Sequence, residues 1–593
     1  MLLIAYPTYA VLTLLVHHRA VRRARLAPAL PTVTAPFPLA HPLWTVIGRY
    51  LRPVCMALLP ARWCTWVRIA KVGWPFEEGR RVHEDVWREK GEGQVDMAGS
   101  FLSVSVSGWE VVVCDEVAVM EVLKRRDVFI KPEELYGYLN VFGRNIDTIN
   151  GDEWARHRKI TAPCFNERVS ALVWDESARQ TRAMLAQWMS TAATTTTTTA
   201  HPISSAVTTM ADDMRLVALH VLSAAGLGMR QDFATGMRSA PAPGSGHSMT
   251  YRDALMQVLQ HIVLVMAAPE WLLLLPGAPA AWRGVVAAKR EFRRYMEEML
   301  DRERGRYRGK EQGGGDAFVK EVPNLMVTLI RSSDAARNKR ERLSDEEIFG
   351  NLFFFNFAGH DTTANALAFA LALLAVEPEM QEWVGEEVAM VFGERDVRDI
   401  KYEEVFPRLV RCQAVLNESM RLYGPVPYYP RRAASAQAIP LSTGASIPVP
   451  AGANIVLNSA AVHTSPAWSR GTGLPAREFH PKRWIKTDNG GEVLEQPENT
   501  TYLPWAFGPR TCLGLKFAQV EFVSVLSSVF RQHRLRPALE DDNPLVLSGL
   551  RQEESRLAEQ RIREALASAG MEKHLLVALE EKEKVVFRLE KVA

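Results

Sequence analysis

Residues 344–378 read SDEEIFGNLFFFNFAGHDTTANALAFALALLAVEP, an apolar run with Asn356, His360, Asp361, Thr362, Thr363 and Asn365 gathered at its middle. Ser344 and Glu347 form a capping-box signature at one end, and Pro378 marks the other. About thirty residues at about 1.5 Å each make a helix of roughly 45 Å, long enough to cross a bilayer or a large domain. The bilayer reading fails at the centre, because ionisable groups at that depth are costly. A helix buried through a large protein can hold the same cluster against an interior cavity. Thr362 and Asn365 could instead satisfy carbonyls of the preceding turn. Gly359 favours the cavity, since a missing side chain lets a flat ligand approach the backbone.

Such a helix needs a large body around it. The chain has 593 residues, which at roughly 150 per domain would make about four domains. With 71 Lys+Arg against 68 Asp+Glu, the net charge gives no reason to expect a nucleic-acid partner, and any basic surface must be local. Residues 1–18 begin with an uncharged apolar run, followed at once by His17, His18, Arg19, Arg22, Arg23 and Arg25. Positive charge after the run fits an N-terminal membrane anchor that keeps the rest cytosolic, not a cleaved signal. Residues 19–44 are basic and proline-rich and read as a stiff linker. Residues 45–593 form the folded body. Its insertions fall near 191–200, with a threonine run, near 239–248, rich in Pro, Gly and Ser, and at 551–574, whose mixed charge predicts a solvated helix.

Elsewhere helical periodicity dominates. Helices are expected near 205–228, 251–267, 281–308, 317–331, 344–376, 378–392, 408–422 and 513–533, a strand over Leu102 to Val113, and another over Asn454 to Leu457. The fold class is mainly α with a minor β part.

The six cysteines form no C-x-x-C pair, so five read as small buried hydrophobes. Cys512 differs. It lies in YLPWAFGPRTCLGLKFAQVEF, residues 502–522, with Gly508, Pro509 and Gly514 as turn residues and a helix starting just after it. The helix N-terminus and neighbouring Arg510 both favour a thiolate. No papain-like or caspase-like signature surrounds it, which leaves haem ligation as the other established use of such a thiolate.

This loop resembles the haem-binding loop of the cytochrome P450 monooxygenases, F-x-x-G-x-R-x-C-x-G, with Trp505, Gly508, Arg510, Cys512 and Gly514 in register. Trp505 stands where the family most often has Phe. Ala358 to Thr363 match the family's central-helix motif, Glu418 and Arg421 its E-x-x-R, and Phe479, Pro481 and Arg483 its F-x-P-x-R. Trp154 and Arg158 match W-x-x-x-R, and Arg431 or Arg432 stands where many members carry another cation near the haem. These patterns occur in one order over nearly the whole chain, and the anchor and linker resemble those of the eukaryotic, microsomal members, of fungal type.

The resemblance implies the cytochrome P450 fold and heme b with Cys512 as axial ligand. Arg510, Trp154, Arg158, Arg431, Trp505 and Gly359 would surround that group, Asp361 and Thr362 would relay protons, and Glu418, Arg421 and Arg483 would form a structural cluster. It also implies insertion of one oxygen atom from O2 into a C–H bond of a lipophilic small molecule, in secondary metabolism. Leu135 to Gly143, Phe354, Phe355, Phe357, Ala358 and Val426 to Tyr429 are the expected pocket lining. No G-x-G-x-x-G opens a strand–helix unit, so electrons would come from NADPH through NADPH-cytochrome P450 reductase, with Arg156, Lys159 and Lys516 as docking cations. The implied location is the endoplasmic reticulum membrane, facing the cytosol. The alternatives are a haem-thiolate isomerase or dehydratase needing no reductase, and a haem carrier or sensor without catalysis.

Overall fold

The structure, a computed structural model, describes residues 2–23, 30–35, 51–69, 76, 84, 99–190, 206–234, 246–312, 324–335, 341–395, 400–470, 472–539, 548–571 and 576–592. The threonine run and residues 239–245 of the second insertion lie outside them, as do linker residues 24–29 and 36–44.

The apolar run is one unbroken helix, Asp345–Ala375, and both halves of its capping box are made. Nearly every residue of its second half is buried. It packs against helices Met210–Leu227, Val410–Tyr423, Leu515–Phe530 and Ser548–Ala567. Loop 143–144 crosses it so closely that a Cβ on Gly350 would stand 2.5 Å from the Gly143 carbonyl oxygen.

Helix Glu167–Ser190 is missing from the sequence expectations. Its inward face carries Glu176, Ser177, Gln180 and Thr181, all buried, so hydrophobic periodicity is broken where packing is tightest. Three of those groups are satisfied internally: Gln180 donates to Glu176 at 2.8 Å and to the Gln231 carbonyl at 2.7 Å, and Thr181 donates to the Ser177 carbonyl at 2.8 Å, while the Ser177 hydroxyl has no partner. The expected helix 251–267 is two, Tyr251–Gln260 and Ile262–Ala267, broken at His261. The expected strand 102–113 is a hairpin, turned at residues 106–107.

In chain order the strands are β1 (Thr32–Ala35), β2 (Phe101–Ser105), β3 (Gly108–Val113), β4 (Phe129–Ile130), β5 (Tyr428–Ala433), β6 (Gln437–Pro440), β7 (Ser446–Val449), β8 (Asn454–Asn458), β9 (Ile485–Asp488), β10 (Gly491–Leu494), β11 (His533–Pro537) and β12 (Phe587–Lys591). Six form one mixed sheet in the order β1-β2-β3-β8-β5-β4. β1 falls inside the stretch expected to be a linker; Thr32 to Ala35 alternate in burial and pair in parallel with β2. Helix Leu2–Arg23 lies beside this sheet, with His17 Nδ1 2.7 Å from the Ser105 carbonyl oxygen and His18 Nε2 3.0 Å from Thr34 Oγ1. Among the described residues no single helix is long and apolar enough to cross a membrane.

The charged segment near 551–574 is a helix, Ser548–Ala567, but not a wholly solvated one. Ala558, Ile562, Ala565 and Leu566 are buried, a stripe at helical spacing that dense charge conceals in the sequence. Its Arg563 donates to the Val376 carbonyl at 3.1 Å and pairs with Glu377, so the segment caps the end of the central helix.

Candidate active site

Turn chemistry shapes the cysteine loop. Gly508 has φ +73°, and a Cβ there would meet the Leu123 carbonyl oxygen at 3.0 Å, so only glycine suits it. Thr511 N donates to the Gly508 carbonyl at 3.0 Å and Cys512 N to that of Trp505 at 2.9 Å. Gly514 then starts helix Leu515–Phe530. Two buried contacts hold the loop from outside: Leu503 N donates to His463 Nε2 at 2.9 Å, and the Tyr429 hydroxyl to the Leu503 carbonyl at 2.5 Å.

Cys512 is accessible to solvent yet enclosed by protein, and therefore lines a hollow. Burial pushes its thiol up; the backbone N–H of Gly514 and the charge of Arg158 oppose this. The cation acting on the thiol is thus Arg158, not its sequence neighbour Arg510. Arg158 donates to the Thr511 carbonyl at 2.8 Å. Arg510 turns to the Ile149 carbonyl at 2.7 Å and Asn150 Oδ1 at 3.0 Å. Trp154 is clamped between Arg126 and Arg510, 4.4 and 4.8 Å from its ring centre.

Four cations, Lys131, Arg158, Arg431 and Arg510, surround this hollow with Asp147 as the nearby carboxylate. Lys131 pairs with Asp147, and Arg431 is buried with its own neighbour's carbonyl as acceptor. Burial lowers Lys131 to about 8 despite Asp147, with Arg431 and Arg510 adding to the fall. Burial and Arg431 lower Arg510 to about 10. An uncompensated cluster of buried cations is costly unless an anion joins it. A flat group with one soft-ligand position and two carboxylates, as in haem, suits this donor set. Tyr136, within the expected lining Leu135 to Gly143, has a phenol raised by burial; Lys131 carries no sequence signal, because FIKPEELYG holds no motif. Of the two arginines left open, Arg431 faces the cluster; Arg432 is on the opposite sheet face with Asn454 and Glu134.

Helix Gly151–Thr161, which carries Trp154 and Arg158, is fastened to the start of the central helix. Arg156 and His157 both bind Glu347, and Asn351 reaches His157 Nδ1 at 3.0 Å. Arg156 is therefore held in a partly buried ion pair with Glu347. Lys159 is exposed, and Lys516 sits 4.1 Å from the centre of the Phe406 ring.

On the central helix Thr362 Oγ1 donates to the Ala358 carbonyl at 2.7 Å, and Thr363 Oγ1 to that of Gly359 at 3.1 Å. Asp361 is partly exposed and pairs with Arg215 at 3.4 Å and His360 at 3.5 Å. The open side of Gly359 is filled: a Cβ would meet Leu222 at 3.2 Å. Its missing side chain serves helix packing, not a flat ligand. Of the expected lining, Phe142 packs inward on Phe292 and Phe353, Phe355 turns to Phe165, and Leu135 and Tyr138 are exposed.

The E-x-x-R and F-x-P-x-R residues meet in a fully buried cluster. Glu418 accepts from Arg421 Nε and Nη2 at 2.8 Å, and from Arg483 Nε, His480 N and Trp484 Nε1 at 2.9 Å. Burial pushes its carboxyl up, but the two guanidiniums outweigh this and hold it below the usual range.

Comparison with known proteins agrees with this geometry. A family model described as Cytochrome P450 matches residues 97–556. The chain is 29% identical over 530 residues to the "Phomenoic acid biosynthesis cluster cytochrome P450 monooxygenase" of Leptosphaeria maculans, covering 86% of this chain and 87% of that protein. It is 30% identical over 431 residues to "Cytochrome P450 monooxygenase 124" of Postia placenta, covering 72% and 75%. Among solved structures, a cytochrome P450DA heme domain is 20% identical with a TM-score of 0.60, over 95% of this chain and 98% of that one.

Proposed function

Because this chain belongs to the cytochrome P450 family, we propose that it is a microsomal-type monooxygenase that hydroxylates a lipophilic secondary metabolite, with Cys512 as the haem ligand and NADPH as the electron source. The observation that carries the reading is the solvent-reached thiol of Cys512 beside a cluster of buried cations short of carboxylates. Haem, when bound, supplies the activation of dioxygen. Cys512 holds it through sulfur, while Arg158, Arg431, Arg510 and Lys131 neutralise its carboxylates. The N–H groups of Gly514 and Leu515 and the charge of Arg158 favour the thiolate against burial. Asp361, held between Arg215 and His360 at the edge of solvent, takes up protons, and the Thr362 hydroxyl passes them inward. Phe354 and Phe357, both partly buried, give an apolar pocket wall. The relative named for a biosynthesis cluster supports secondary metabolism as the setting.

A diflavin reductase is the proposed electron donor, docking near the exposed Lys159 and the half-buried Lys516. Residence on the endoplasmic reticulum membrane, facing the cytosol, is proposed from the apolar N-terminal run, with support from exposed Val263, Trp271, Leu272, Leu274 and Leu275, an apolar patch with an amphipathic ring suited to a lipid interface. The test is turnover of candidate terpenoids and polyketides by the holoprotein with reductase and NADPH under isotopically labelled O2. One labelled oxygen atom per product, strictly dependent on NADPH, is expected. Turnover without NADPH or O2 would instead indicate an isomerase or dehydratase.

A further inference from the structure

The Pro/Gly/Ser insertion ends in a strap. Residues 246–250 lead into helix Tyr251–Gln260, and each of residues 246–249 is bonded to helix Ala280–Gln312. Arg294 donates to the Gly246 carbonyl at 2.7 Å. His247 Nδ1 lies 2.6 Å from Glu291 Oε1, and its Nε2 lies 3.1 Å from Glu298 Oε2. The Ser248 N–H and hydroxyl both donate to Glu291 at 3.2 Å, and the Tyr295 hydroxyl donates to the Met249 carbonyl at 2.9 Å. Glu291, Arg294, Tyr295 and Glu298 follow the i, i+3, i+4, i+7 spacing of one helix face, which is why one short segment reaches all four. The His247 ring is 6% exposed and stacks on that of Tyr295, with centres 3.8 Å apart and planes 9° from parallel.

Ionised carboxylate oxygens only accept. A ring with one at each nitrogen donates from both, so His247 is here an imidazolium, and the aromatic face beneath it suits a cation. Burial pushes the Glu291 carboxyl up, but His247 and Ser248 outweigh this and hold it below the usual range. The charged groups around the ring among the described residues are Glu291, Glu298 and Arg294 on one helix and Asp253 on the other. Arg294 pairs with Glu298 at 3.2 Å, and Asp253 accepts from the Thr250 hydroxyl at 2.7 Å. A neutral ring keeps one N–H. One carboxylate then faces a nitrogen lone pair, and the strap loses a charge-assisted hydrogen bond.

The strapped helices rest on the residues proposed to wall the pocket. Tyr251 packs on Phe292 with ring centres 5.2 Å apart, Phe292 packs on Phe142 at 5.3 Å and on Phe353 at 6.3 Å, and Phe353 stacks on Phe357 at 6.2 Å. Helix Ile262–Ala267, which continues from Tyr251–Gln260, touches residues 137–139 of the expected lining. We propose that residues 246–250 are a proton-operated strap: protonated His247 fastens helix Tyr251–Gln260 to helix Ala280–Gln312, and loss of that proton frees it and opens entry to the pocket. The entry half of the proposal rests on the haem-thiolate reading above, and the strap itself does not. The latched geometry is made with the protonated ring, so it is favoured at low pH and lost as pH rises. Glu291, held below the usual carboxylate range, stays ionised while histidine titrates, which leaves the ring as the group that changes charge.

Hydrogen exchange of the full-length holoprotein, read by mass spectrometry and corrected for the pH dependence of the chemical step, tests the strap. Protection of residues 250–262 should fall about tenfold between about pH 6 and about pH 8.5, where histidine titrates, while that of Leu515–Phe530 stays level. In His247→Gln, which keeps a side-chain N–H without the charge, protection of 250–262 should be low at both ends and level. Wild-type protection that does not fall, or a fall that persists in His247→Gln, overturns the strap. Entry is read at the lower pH by stopped-flow absorbance, as the Soret shift on adding a triphenylmethyl-substituted imidazole or imidazole itself. The bulky azole should bind His247→Gln several-fold faster than wild type, and imidazole should bind both at one rate. Equal rates for the bulky azole overturn the control of entry. If neither azole shifts the Soret band, the haem-thiolate reading and the entry half fall together, and the exchange result still decides the strap.

Discussion

Replacing Glu418 with glutamine should be the most damaging conservative change in the body of the protein. The carboxylate receives five hydrogen bonds and is the counter-ion for both Arg421 and Arg483, with all three side chains wholly buried. A glutamine amide presents hydrogens to at least one of those donors and leaves two guanidiniums without charge compensation. Breaking one buried pair costs about 3–5 kcal/mol, and with two arginines on one carboxylate the upper end applies. Against a total stability of about 5–15 kcal/mol, the variant stands near the edge of folding. With m of about 3 kcal/mol/M, a loss of that size lowers the urea midpoint by more than about 1 M. The control is Glu590→Gln, which breaks an exposed pair with Arg536 and should cost about 0–1 kcal/mol. Urea unfolding of both variants, followed by tryptophan fluorescence, makes the comparison. A Glu418→Gln midpoint no lower than that of Glu590→Gln would refute the assignment of this cluster as a buried structural support of the fold.

Haem affinity should vary with pH through Lys131. Its pKa in the free protein is about 8, and two carboxylates arriving beside it raise that value. Below pH about 8 the free and bound forms both carry the proton and affinity is flat; above it binding must take a proton up, so affinity falls as pH rises. Haem titration across this range checks the slope, and Lys131→Met should flatten it. Thr362→Ala should release reducing equivalents as peroxide, lowering product per NADPH on the order of 10²-fold; equal coupling in variant and wild type would sink the relay. Gly350→Ala forces a Cβ to within 2.5 Å of the Gly143 carbonyl oxygen and should cost about 1–3 kcal/mol or more by overpacking, read from thermal unfolding.

Sequence reading found what local chemistry announces. The capping box of the central helix, the glycine turns around Cys512 and the Glu418, Arg421 and Arg483 cluster all lie where their spacing placed them. It erred where a residue's meaning depends on what crosses it. Arg510 sits two residues from Cys512, yet the loop turns it away, and Arg158, more than three hundred residues upstream, acts on the thiol. Gly359 reads as an opening for a ligand because Leu222 is invisible to local pattern. Helix Glu167–Ser190 escapes local pattern because its inward face is polar, bonded within the helix and, at Gln180, to Gln231 and His220 far along the chain. Ser548–Ala567 was read as fully wet because charges outnumber the apolar stripe that docks it. Lys131 carries no motif at all, and only burial beside Arg431 and Arg510 gives it a role.

The central claim, that Cys512 sulfur binds haem iron in this chain, meets its most direct test in the absorbance difference spectrum of the dithionite-reduced protein with and without carbon monoxide. Wild type should give the red-shifted Soret band of a thiolate-ligated carbonyl complex, and Cys512→Ser, prepared alongside with bound haem, should lack it. The same band in both proteins, or no such band in haem-loaded wild type, would contradict it.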